Sequence, residues 1–95
     1  MRKATIVEAD YAEFLKQLTI AKREKRCLEP IMDKDAWIEE TIKQDLKVTA
    51  FASIVSERYQ AEEMFLILDG KEPWNGLFAI DRDTRACVRF VVVDV

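Results

Sequence analysis

Histidine is absent from the chain, which leaves its cysteines, its serines and its carboxylates as the side chains able to do chemistry. Ser53 and Ser56 have no imidazole to accept a proton, so a Ser-His-Asp relay is excluded. Cys27 and Cys87 are the only cysteines, too few and too far apart for a zinc ribbon or finger. Zinc sites draw on four Cys or His ligands, or on three protein ligands and a water. A site here would have to lean on carboxylates, and none is expected. A Cys27 to Cys87 disulfide requires α-carbons within about 7 Å; two reduced thiols are the plainer expectation for a cytoplasmic chain. Glu62 with Glu63 and Asp81 with Asp83 are neighbouring acids that could in principle exchange protons. Acids beside helix ends and turns are ordinarily solvated, so no catalytic residue is assigned and no cofactor is expected.

These residues must be positioned by a single domain, because 95 residues support one modest core. A composition 49% hydrophobic and 35% charged, with two glycines and two prolines, is that of a folded domain with short loops. Residues 1–47 carry ten basic and ten acidic side chains and residues 48–95 carry five and eight. Neither half is basic. Since nucleic acids and anionic membranes are held by lysine and arginine, this balance argues against both as partners. No apolar run approaches the length that crosses a bilayer, and Glu8 and Asp10 interrupt any leader-like stretch after Met1. A cytoplasmic location is expected.

Ala4 to Val7 reads as a short strand. Asp10, three residues before Glu13, is placed to cap a helix. Tyr11, Phe14, Leu15, Leu18 and Ala21 then recur at helical spacing, and Lys22 to Arg26 put cations at the negative end of the helix dipole. Asp33 to Leu46 suggests a second helix with an inner stripe of Ile38, Ile42 and Leu46, widened by Trp37. Residues 47–61 fit a third helix or a strand, with helix preferred. Met64 to Leu68 is an apolar run ended by Asp69-Gly70 and reads as a buried strand. The segment from Asp69 to Gly76 is a connector whose glycines supply positive φ, with Trp74 as its exposed aromatic.

The last nineteen residues, Leu77 to Val95, read as a hairpin turning at Asp81 to Thr84 on a type I turn. In its second arm Ala86, Val88, Phe90 and Val92 share one face, while Arg85, Cys87 and Arg89 begin a face that can be wet and that continues as Val91, Val93 and Val95. Those three valines require cover. The resulting expectation is an α+β fold: a short N-terminal strand, two to three helices packed on one face of the sheet, and a three-stranded antiparallel meander.

The opening Arg2 to Thr5 leading to Asp10 and Leu15, the run Phe65 to Pro73 before Gly76 to Ile80, and Ala86 to Val93 follow one another in the order strand, helix, helix, three antiparallel strands. In that order the chain resembles the N-terminal half of a GNAT-family acetyltransferase, with residues 47–61 lacking a counterpart. The resemblance implies acetyl-CoA chemistry. That family holds the cofactor's pyrophosphate on backbone N–H groups of an Arg/Gln-x-x-Gly-x-Gly/Ala loop after its fourth strand, at a helix N-terminus. The sequence stops at Val95, where that loop would begin, so no residue is carried over as a cofactor ligand.

The expectation for function is therefore a small non-catalytic protein-interaction or regulatory domain, a homodimer or a partner to another protein. Its expected interface residues are Val91, Val93 and Val95 of the C-terminal strand, together with Trp74. Two alternatives stand beside it. One is an acetyltransferase-related chain that binds acetyl-CoA with the help of a partner chain, and the other is an inhibitor or adaptor that grips another protein through the Trp74 loop.

Overall fold

Two runs of consecutive buried residues, Phe65 to Ile67 and Leu77 to Ile80, set the architecture, because strands apolar on both faces need cover on both sides. The computed structural model describes residues 2–43 and 63–94, those at 2–4 and 92–94 through their backbone. Along the chain come β1 (Arg2–Glu8), α1 (Tyr11–Arg23), β2 (Cys27–Leu28), α2 (Lys34–Lys43), β3 (Glu63–Ile67), β4 (Gly76–Asp81) and β5 (Ala86–Asp94). The fold is α+β. All five strands form one antiparallel sheet in the order β1-β5-β4-β3-β2.

The expected meander is the β3-β4-β5 centre of this larger sheet. At one end β1 pairs along its whole length with β5, Arg2 opposite Asp94 and Glu8 opposite Val88. At the other end the two residues of β2 pair with β3, Cys27 opposite Ile67. Because neighbouring strands alternate in direction, β1 and β2 run the same way and α1 connects the two ends of the sheet. Cys27 lies between the two helices, in an end strand too short to leave a pattern in the sequence.

α1 forms as its sequence predicts. Asp10 caps it by accepting from the Glu13 N–H at 2.7 Å. Phe14, Leu18 and Ala21 are buried at the expected spacing. The helix closes in a Schellman arrangement, with the Arg26 N–H donating to Ala21 O at 2.8 Å and the Lys25 N–H to Lys22 O at 3.1 Å. Lys25 occupies the left-handed position there, at φ 58°.

The two helices do not share a face of the sheet, which corrects the sequence expectation. Phe14, Leu18 and Ala21 of α1 pack with Phe65, Ile67, Phe78, Ile80 and Cys87 on one side. Trp37 of α2 packs with Leu66, Leu77, Ala79, Val88 and Phe90 on the other. The inner stripe of α2 also differs: Trp37 and Thr41 are buried, while Ile38 is 46% and Ile42 74% exposed. The Thr41 hydroxyl is satisfied by donating to Ile38 O at 2.9 Å. Leu46 and the proposed helix over 47–61 lie outside the described residues.

Candidate functional site

The connector between β3 and β4 is the most elaborately held surface segment. Gly70 allows it to fold back on itself: a Cβ there would stand 2.2 Å from the carbonyl oxygen of Trp74. The need is for close approach, not for positive φ; Gly76, at φ 100°, is the glycine that supplies the latter. The Trp74 N–H donates to Lys71 O at 2.6 Å and closes the turn. On its inner side the Leu68 N–H donates to Arg26 O at 2.8 Å, and the Arg26 guanidinium donates back to Leu68 O at 2.8 Å.

Trp74 is half-buried rather than free in the loop. Its ring lies nearly parallel to Phe78, with centroids 6.0 Å apart and planes at 20°, and 6.4 Å from Phe14. This aromatic group extends the core beneath α1 to the surface. Beside it opens a cleft of about 550 Å³, lined among others by Gln17, Glu24, Arg26, Ile67, Asp69 and Trp74. Glu24 accepts from Arg26 at 3.0 and 2.7 Å, so that cation is paired within the wall, and Lys71 is the second cation lining the cleft. Its lining carries both signs, with Asp69, Lys71 and Glu72 beside Ile67 and Trp74.

Arg89 changes the reading of the C-terminal strand. The expectation of a wet face over Arg85, Cys87 and Arg89 is overturned at two of the three positions. Cys87 is buried under α1. The Arg89 side chain is 15% exposed, and its guanidinium carbon lies 5.9 Å from the Phe78 ring centroid. From there it donates to Asn75 O at 3.0 Å and to Asn75 Oδ1 at 3.2 Å, and pairs with Glu72 at 3.0 Å. Only Arg85 is exposed, and it belongs to the turn, at φ 59°.

β5 itself is an interior strand, hydrogen-bonded to β1 on one side and β4 on the other. It therefore has no open edge through which the expected interface at Val91 and Val93 could pair with a partner strand. Val91 is half-buried and stands opposite Thr5 of β1, and Val93 stands in register with Lys3. Val95 lies outside the described residues. Among the described residues the sheet instead ends on β1, where Val7 is 42% exposed.

Ser53, Ser56 and Glu62 lie outside the described residues, and Asp81, Glu63 and the two cysteines have structural occupations. The Asp81 carboxylate accepts from the Asp83 and Thr84 N–H groups at 2.9 and 3.3 Å and shapes the hairpin turn. Glu63 binds Arg82 at 2.6 Å. Burial pushes the Cys27 thiol up to about 11 and the Cys87 thiol to about 12, so both are protonated at neutral pH and poor nucleophiles. Three strand spacings, roughly 14 Å, separate β2 from β5, which is beyond a disulfide. Among the described residues no group of three or more His, Cys, Asp or Glu is placed to hold a metal ion, and no helix is long and apolar enough to cross a membrane.

Comparison with protein-family models, curated proteins and solved structures returns no match.

Proposed function

We propose that this chain is a non-catalytic domain that acts by protein association, pairing with a second copy through the β1–β5 end of its sheet. The observation that carries the reading is the seven-residue β1, an end strand among the described residues with an exposed Val7 next to its last residue. A long end strand carries unpaired N–H and C=O groups and is a template for another chain. Val91 and Val93 lie one strand inward from it, in register with Thr5 and Lys3. The expected interface thus moves from β5 alone to β5 with β1. Sedimentation equilibrium over a wide concentration range tests it: a dimer is expected, weakened by Val7→Lys with the circular dichroism unchanged. A wild type that stays monomeric at high concentration overturns the reading.

The Trp74 cleft favours a second reading, an inhibitor or adaptor that takes a peptide segment of another protein. Its mixed-sign lining beside Ile67 and Trp74 supports this. Trp74→Ala would also strip Phe78 of its stacking partner, so the exposed Lys71 is the better probe. Loss of a captured partner on Lys71→Glu, with dimer mass unchanged, distinguishes this reading from self-association. An acetyltransferase-related chain is the alternative from another class. It expects acetyl-CoA to raise the melting temperature, by about 2.7 kcal/mol of stabilisation at one hundred times Kd, whereas the association reading expects no shift.

A further inference from the structure

We infer that two copies join by antiparallel pairing of β1 with β1, centred on Thr5, so that Arg2 of each copy stands opposite Glu8 of the other. This rests on the association reading above and specifies its geometry. The two ends of the sheet are not equivalent templates: β2 offers two residues and β1 seven.

The order of residues in β1, Arg-Lys-Ala-Thr-Ile-Val-Glu, selects one arrangement. Parallel pairing in register places Arg2 on Arg2, Lys3 on Lys3 and Glu8 on Glu8, and like charges directly opposite are unfavourable. Antiparallel pairing about Thr5 places Arg2 opposite Glu8 at both ends, Lys3 opposite Val7, Ala4 opposite Ile6 and Thr5 opposite its own copy. A slip of one residue would set opposite faces of the sheet against each other. A slip of two in either direction leaves Arg2 or Glu8 beyond the partner strand. The Thr5-centred register alone uses every residue of β1 and both charge pairs.

The arrangement is self-consistent with the rest of the molecule. Ile6 is half-buried against the cluster that contains Val88 and Phe90, and the two-fold axis perpendicular to the sheet keeps that face continuous across the junction. Glu8 and Val7 are exposed at the strand's end. The described strands of the two copies then form one sheet with isologous contacts that use both copies of β1.

Charge exchange tests the register. Glu8→Arg should weaken the dimer about tenfold, since two attractive pairs become two repulsive ones. Arg2→Glu should do the same, although its neighbour in register on β5 is Asp94. Mixed in equal amounts, the two variants should recover the wild-type dimer as a heterodimer, because each mixed pair again sets Glu opposite Arg. Hydrogen exchange at the outward-facing amides of Ala4 and Ile6 should slow as protein concentration rises, whereas Thr5 and Val7, whose N–H groups already face β5, should not respond, a readout available without substitution. A mixture that stays as weak as its components, or exchange that ignores concentration, overturns the inference. If the wild type is a dimer unmoved by both substitutions, strand pairing fails and association survives; a monomeric wild type overturns both.

Discussion

The guanidinium of Arg89 donates from Nε to the carbonyl oxygen of Asn75 at 3.0 Å and from Nη2 to the same residue's side-chain oxygen at 3.2 Å. One strand residue thereby fixes the end of the connector that carries Trp74. A hydrogen bond to a charged donor contributes about 1.5 to 3 kcal/mol. Arg89→Met, which keeps much of the stem over Phe78, is expected to lower stability by roughly that amount in urea denaturation. Glu72→Gln tests the ion pair separately. With the Glu72 side chain 71% exposed, its loss should cost less than about 1 kcal/mol.

This latch was not legible in the sequence, and the reason is physical. Arg89 alternates with Val88 and Phe90, a pattern that places it opposite the apolar face without saying whether that side is wet. Only the fold brings the 69–76 connector over it. α1, by contrast, was legible because its cap, its apolar period and its terminal cations all point the same way. The stripe of α2 was misread by one position: Trp37, not Ile38, goes inward, and the bulk of one indole outweighs two isoleucines exposed along the same helix. The pairing of β1 with β5 joins residues 80 to 92 positions apart, and no local pattern encodes which strand an N-terminal strand will choose. The connector's turn residues mark Trp74 as an exposed aromatic, but its ring lies against Phe78, a contact that only the fold creates.

Gly70 should tolerate no side chain. A Cβ at that position would meet the Trp74 carbonyl oxygen at 2.2 Å and its carbon at 3.1 Å, both backbone atoms that cannot swing away. Gly70→Ala is expected to destabilise by about 1 to 3 kcal/mol through forced displacement of the connector. Trp74 reports it directly: in a Trp37→Phe background, its fluorescence should shift to the red as the ring leaves Phe78. An unchanged spectrum and stability would show that the connector can rebuild itself around the methyl group.

Lys25 and Arg85 hold left-handed backbone, at φ 58° and 59°, without the freedom of glycine. The left-handed conformation costs an L-residue roughly 1 to 2 kcal/mol, and glycine gives back part of the gain through its more mobile unfolded chain. Lys25→Gly is therefore expected to stabilise the protein by about 0.5 to 1 kcal/mol. Arg85→Gly should do likewise at the β4–β5 turn. Thermal unfolding with a melting temperature below wild type for Lys25→Gly would mean that the lysine contributes through its charge at the helix end more than its backbone costs.

The buried thiols make stability fall in alkali. Burial holds Cys87 at about 12 and Cys27 at about 11, above the range near 8.5 to 9 in which an unfolded cysteine ionises. A raised folded value means that the native state keeps its protons longer than the unfolded one. The stability they contribute is complete below about pH 8.5 and is lost progressively as pH rises towards 11 and then 12. Denaturation midpoints measured from pH 8 to pH 11 should fall, and should fall less steeply for Cys87→Ala, which has no thiol to ionise. Cys87→Ala begins from lower stability because a buried side chain is shortened, so the slope with pH, not the starting value, is the quantity that decides. Equal slopes for wild type and variant would place the alkaline loss in other groups.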